Sequence, residues 1–385
     1  MRIFCVLLLS LFVASCATAP VTPAPARAEL FNDGLFKAPS ERIDKSDIFA
    51  LSEEMKRYMQ SEIAIEVKDK GLHRGFFDTL YTKGQLQLEY DSVTTRNAAQ
   101  AFADRSGNCL SLVIMSAAFA KALGIPVWFQ SVAAEETWSR SGDVQFFIGH
   151  VNLRIGKKQA DIGIGHPQID AMTIDFLPVQ VVRGVSVKPI SEETIVAMYM
   201  NNRAAEAFSR GKIDDAYWWA RAAIGADPTF ISAYNTLGVV YRRHGNLGDA
   251  LRVLAYANEH EPDNTRVMFN LISVLNESGR TAEAGVLARR LETLDPNPPF
   301  SYFSQGQKAM KDENYRLAKD MFAKEVARAP YYHEFHYWLA AAYVGLGDVE
   351  HARTELAMAL EYSTTRKEHD LYSTKLARIN AARAH

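Results

Sequence analysis

Apolar and polar positions along this chain follow a helical period through the second half, and a mixture of helix-like and strand-like spacings through the first. From Cys109 onward, apolar or small residues recur at Leu112, Val113, Ser116, Ala117, Ala120 and Leu123, which predicts a helix with one buried face. Gly124-Ile125-Pro126 stops it. Residues 127–132 and 146–155 then read as strands, and 172–177 as a third, ended by Pro178. Upstream, Ser46-Asp47 can cap a helix running through Val67, with Phe49, Met55, Met59 and Ile63 on its apolar side. Residues 74–81 predict a shorter helix, 86–90 alternate weakly, and 95–105 are helix-like with Ala98, Ala99, Phe102 and Ala103 on one side before Ser106-Gly107 breaks the pattern.

From residue 197 the pattern becomes a gapless 34-residue period, with copies at 197–230, 231–264, 265–298, 299–332 and 333–366. Ala216, Ala250, Ala284, Ala318 and Ala352 recur at that spacing, where two crossing helices need a small residue. Pro228, Pro262, Pro296 and Pro330 close the first four copies, where a second helix must stop. In the second copy Tyr234, Leu237, Gly238, Tyr241, Gly245, Ala250, Ala257 and Pro262 resemble the tetratricopeptide repeat. The resemblance implies an all-α superhelix of five stacked pairs, capped by residues 367–385, whose concave face binds a protein or peptide partner. Trp218, Trp219, Tyr331 and Tyr332 read equally as packing or as surface residues of such an array.

Composition narrows the function classes. The chain has 385 residues, 48% hydrophobic and 23% charged, which is ordinary globular material for two or more domains. A formal net charge of −2 without Lys/Arg blocks argues against a nucleic-acid partner. Residues 3–13 form an apolar run too short to span a bilayer, followed by Val13-Ala14-Ser15-Cys16. This resembles a bacterial lipobox, which implies export, removal of residues 1–15, acylation of Cys16 and a lipid-anchored protein of the cell envelope. Ala17 after the cysteine points to the outer membrane, facing the periplasm. Residues 16–28, rich in Ala and Pro, then read as an extended tether.

Of the three cysteines, Cys5 leaves with the leader and Cys16 is blocked by lipid, so Cys109 is the single free thiol of the mature chain. On the first turn of its helix it meets unpaired N–H groups and the positive dipole end, which favour the thiolate. A buried structural cysteine is the competing interpretation. The order Arg105-Ser106-Gly107-Asn108-Cys109, then Ala118, Leu123-Gly124-Ile125-Pro126, His150 and Ile174-Asp175-Phe176, resembles the transglutaminase-like superfamily of papain-type cysteine enzymes. The resemblance implies an α+β domain over residues 29–190 with Cys109 as nucleophile, His150 as base and an aspartate orienting it. It also implies reaction at an amide bond, with hydrolysis expected over transamidation. Asp175 is favoured for the aspartate and Asp161 is the alternative; His166, in Gly165-His166-Pro167, reads as a turn residue. A non-catalytic envelope scaffold, binding partners through its repeats, is the alternative function. No cofactor or metal site is indicated. On the lipobox reading, Cys16→Ala releases the protein from membranes or stalls its processing, because the acyl chains are its strong anchor; fractionation of the variant with the outer membrane as tightly as wild type would contradict it.

Overall fold

The computed structural model describes residues 28–81, 86, 88–91, 94–141, 144–156, 172–176, 186–297, 300–363 and 365–382. The leader, Cys16 and all but the last residue of the expected tether lie outside the described residues. The first helix, α1 (Glu53–Tyr58), starts later than the sequence suggests, at Ser52, whose Oγ accepts the Met55 N–H at 3.1 Å. Ser46 and Asp47 lie instead in a single 3-10 turn, because the Asp44 carboxylate takes both the Ser46 amide and its hydroxyl. A wide turn at Met59–Ile63 leads to α2 (Ala64–Lys70) and α3 (Leu72–Tyr81). These two helices cross at Gly75, where a Cβ would lie 2.3 Å from the Glu66 carbonyl oxygen, so only glycine fits.

Strand β1 (Glu89–Tyr90) runs parallel to β2 (Ser106–Gly107). Between them α4 (Ala98–Asp104) is opened by a capping box of Asn97 and Gln100 and is closed by Arg105 in the left-handed region. Helix α5 (Cys109–Ala122) follows. The expectation of one buried face needs correction: every residue from Cys109 to Ala120 is buried, Leu110, Ile114, Met115 and Phe119 included. The helix touches α4, β2, β3, β4 and the first repeat helix, so no side is left for solvent.

Four antiparallel strands lie in the order β5-β4-β3-β6, with β3 at Val127–Ser141, β4 at Val144–Ile155, β5 at Met172–Ile174 and β6 at Val187–Ile190. Strand β6 lies at the edge of the sheet, with Pro189 opposite Gln130, where a missing N–H is tolerated.

Helix α6 (Glu192–Ser209) begins two residues after that strand, capped by Ser191, and starts five residues ahead of the repeat boundary read from the sequence. It pairs with α7 (Ile213–Ala226). Four further pairs follow: α8 (Ile231–His244) with α9 (Leu247–His260), α10 (Thr265–Glu277) with α11 (Thr281–Leu294), α12 (Ser301–Lys311) with α13 (Tyr315–Arg328), and α14 (His333–Gly345) with α15 (Val349–Glu361). A last helix, α16 (Arg366–Ala382), covers the end. All five spaced alanines are buried, as crossing helices require. Glycine appears where the partner is large: a Cβ on Gly238 would lie 2.5 Å from Leu254, and one on Gly306 2.6 Å from the Phe322 ring. In the third copy Ile272 takes the glycine's place and the small Ala288 takes that of the large partner. Close packing thus keeps the volume at the crossing rather than the residue type.

Residues 30–41 strap the first repeats. Phe36 stacks on Tyr217 with centroids 3.9 Å apart, and the Tyr241 hydroxyl accepts the Asn32 N–H at 2.8 Å. Asp215 accepts from the Ser40 amide and hydroxyl at 2.6 Å each, the Trp218 indole donates to the Lys37 carbonyl, and the Trp219 indole donates to Glu41. Trp218 and Trp219 therefore pack against the chain's own N-terminal segment. One hydrophobic core runs from Leu30 through α5 and the sheet to Ala284 of the third repeat.

Candidate thiol site

The local sequence around Cys109 is explained by the first turn of α5. Asn108 is the N-cap, its Oδ1 accepting the Ser111 N–H at 2.9 Å, while its Nδ2 donates to Thr95 Oγ1 at 2.9 Å. Ser111 Oγ donates to the same Asn108 oxygen and accepts the Arg96 N–H at 2.8 Å. Gly107 is small because a Cβ there would sit 2.7 Å from that of Ser111. Thr95 in turn gives its N–H to Glu206 on α6 at 2.7 Å, where burial pushes the carboxyl up. The helix carrying the cysteine is thus tied to the first repeat helix through Thr95.

His150 and Asn152 stand two apart on β4 and share one face of the sheet. Opposite them, β3 pairs regularly up to Val132↔His150 and then shifts register before Thr137↔Ile148, so the histidine sits at the edge of a bulge. On the other side Ile174 pairs with Leu153, and continuing that register brings Asp175 level with Asn152. Asp175 Oδ1 lies 2.7 Å from His150 Nε2, and Asn152 Nδ2 donates to Asp175 Oδ2 at 2.9 Å. With Nε2 engaged by the carboxylate, Nδ1 is the ring nitrogen left to face the Cys109 side chain, which is near enough to raise the imidazole. Three residues separated by 41 and 25 positions therefore meet: Cys109, His150 and Asp175.

All three are buried, with 1%, 4% and 8% of their surfaces exposed. Burial lowers the His150 pKa, but hydrogen bonds to Asp175 and Cys109, with the charges of both, more than offset it and raise the imidazole to about 9. Asn152 Oδ1 is buried with no partner among the described residues, so the amide gives up a hydrogen bond while orienting the carboxylate.

Of the residues singled out in the sequence, the structure brings Cys109, His150 and Asp175 together. Asp161, the alternative aspartate, and His166 lie outside the described residues. Asn152 could have been found from the two-residue period of β4, since it follows His150 on the same face. Tyr90, whose phenol is pushed up by burial and by the charge of Cys109, gave no signal, because a two-residue strand has no periodicity to read.

Among known families, a tetratricopeptide-repeat model matches residues 235–299 and 303–365. The C-terminal region carries tetratricopeptide repeats. A search of curated proteins returned no match. Among solved structures, the chain is similar to MamA of Desulfovibrio magneticus RS-1, with 23% identity over 40% of this chain and 85% of that one and a TM-score of 0.25. It is also similar to TTC0263, a tetratricopeptide protein of Thermus thermophilus, with 16% identity over 47% and 99% and a TM-score of 0.29. PilF of Pseudomonas aeruginosa is 19% identical over 50% and 88%, with a TM-score of 0.30.

The raised pKa of His150 makes a prediction with a definite sign. A group whose folded pKa exceeds its unfolded value of about 6.5 binds its proton more tightly in the folded protein. It therefore contributes stability that is complete below that pH and is lost as pH rises through about 9. In urea melts the stability gap between wild type and His150→Gln is accordingly widest near pH 6 and narrows towards pH 10. A gap that widens with pH would show that the histidine is held neutral.

Proposed function

We propose that this chain is a lipid-anchored envelope protein in which a papain-type thiol site cleaves an amide bond and the tetratricopeptide array binds a protein or peptide partner. The observation that carries the enzymatic half is the 2.7 Å contact between His150 Nε2 and Asp175, which turns the other ring nitrogen towards Cys109. The imidazole takes the thiol proton, sulfur attacks the carbonyl, and the imidazolium gives its proton to the leaving amine. Asp175, steadied by Asn152, holds the ring in the useful orientation. The Cys109 N–H, at the head of α5, supports the negative oxygen of the intermediate. Water is the acceptor in this reading. Attachment through Cys16 to the outer membrane, facing the periplasm, belongs to the same proposal and rests on the lipobox pattern.

The repeats give the binding half more direct support than the site gives the enzymatic half, because a family model matches them. A second reading follows: a scaffold that binds partners through its array and keeps Cys109 as a core residue. The 1% exposure of the cysteine favours it. Burial of the thiol is also the condition under which its electrostatic interaction with His150 is shielded from water.

Labelling kinetics at Cys109 separate the two. If thiol and imidazole act as one unit, Cys109→Ala abolishes turnover, His150→Ala removes nearly all of it, and the double variant is scarcely worse. His150→Ala also slows alkylation of Cys109 by iodoacetamide at pH 7, and Asp175→Ala slows it less but measurably, whereas Asp161→Ala leaves it unchanged. Wild-type labelling in both His150→Ala and Asp175→Ala would establish the scaffold.

A further inference from the structure

Two consecutive amides, those of Thr95 and Arg96, bind different helices. The Arg96 N–H goes to Ser111 Oγ on α5 at 2.8 Å, and the Thr95 N–H goes to Glu206 Oε1 on α6 at 2.7 Å. The Thr95 hydroxyl completes the junction by accepting from Asn108 Nδ2 at 2.9 Å, while Asn108 Oδ1 accepts both the N–H and the hydroxyl of Ser111. Thr95, Asn108 and Ser111 are buried, so a partner lost here is not replaced from bulk water. The other partners in this cap fall within residues 95–111, whereas Glu206 comes from 111 positions beyond Thr95. Its neighbours leave Oε1 to this amide: Arg203, one turn earlier, is taken by Glu41 at 2.9 and 3.1 Å, and Arg210, one turn later, stands 3.7 Å from the other carboxylate oxygen. The repeat period adds an independent sign. At the position of Glu206 the second and third copies carry Val240 and Val274, both fully buried, and the last two carry Lys308 and Ala342, so the acid belongs to the first copy alone.

We propose that Glu206 is a positioning residue of the thiol site: through Thr95 and the Asn108 cap, the first helix of the repeat array fixes the turn of α5 that carries Cys109. This rests on the thiol chemistry proposed above. Glu206 touches no reacting atom, and what it supplies is an acceptor at a fixed place. If that oxygen withdraws, the Thr95 amide is left buried without a partner and the threonine hydroxyl shifts against Asn108 Nδ2. The first turn of α5 then loosens beneath a thiol whose reaction depends on its placement against His150. Burial pushes the Glu206 carboxyl up, so the group sits where its charged form is disfavoured, a setting in which the neighbouring copies place valine. The array therefore has a part in the site besides binding a partner, and the thiol domain is complete only with its first repeat in place.

The test uses iodoacetamide alkylation of Cys109 in the full-length protein at pH 7. Glu206→Gln keeps the reach of an oxygen acceptor and removes the charge, whereas Glu206→Asp keeps the charge and withdraws the oxygen by one methylene. Glu206→Gln should alkylate within about twofold of wild type and Glu206→Asp about tenfold more slowly, on the scale of one hydrogen bond to a charged group. Thr95→Ala removes the link from this bond to Asn108, so adding Glu206→Asp to it should slow alkylation no further than the slower single variant. Arg210→Ala should leave the rate unchanged, and so should Ala352→Leu, which overpacks a distant helix crossing and reports on lost stability alone. Wild-type rates in Glu206→Asp, loss in Glu206→Gln with Glu206→Asp intact, multiplied losses in the double variant, or equal slowing by Ala352→Leu would each overturn the assignment. Faster alkylation of Glu206→Asp would also overturn it, by showing that the cap buries the thiol without readying it. Wild-type Cys109 that alkylates no faster than a free thiol would instead overturn the thiol chemistry itself, and with it the role of Glu206.

Discussion

Everything at the site depends on how the first turn of α5 is held. A helix N-terminus offers unpaired amides and a positive dipole end, but only a fixed one can position a thiol. Here Asn108 caps the turn and also binds Thr95, Ser111 accepts the Arg96 amide, and Tyr90 comes in from the parallel strand. Each partner lies within about 20 residues of Cys109 in sequence, so the turn is assembled from a short stretch. The sheet then brings His150 and Asp175 from farther along the chain.

The repeat array is built into this arrangement rather than appended to it. Glu206 on its first helix receives the Thr95 N–H, and Thr95 receives the Asn108 side chain, so two hydrogen bonds separate the array from the cap of the cysteine helix. On the other flank residues 30–41 are fastened to α7 and α8 by the Phe36–Tyr217 stack, the tyrosine hydroxyls and Asp215. Burying such polar contacts beside a continuous apolar core makes the first two repeats part of the same folded unit. The later repeats, with Phe269 and Val344 exposed, lie beyond the strap's contacts.

What was legible in the sequence follows from what repeats and what alternates. Ala216 to Ala352 revealed the repeats because the same helix crossing recurs five times and always needs a small residue. Cys109 to Leu123 gave a helix, but its spacing could not show that Leu110 and Phe119 are buried too, since that depends on neighbours far away in sequence. Asp175 could be favoured over Asp161 by its apolar setting; its bond to His150 becomes visible only through the β4–β5 register. The strap left no trace, because Phe36 and Asp33 find their partners about 180 residues on, and a single aromatic in an irregular segment has no pattern. Ser46-Asp47 misled for a local reason, a competing side-chain turn closed by Asp44.

The central claim is that His150 joins Cys109 to Asp175 as one electrostatic unit. The most direct measurement is an NMR titration of the His150 ring in protein labelled at histidine, for wild type and for Cys109→Ala. The account predicts a wild-type imidazolium that is intact at pH 7.5 and titrates near 9, with a lower pKa once the cysteine is removed. A His150 ring that is neutral at pH 7.5 and titrates identically in both proteins would contradict it.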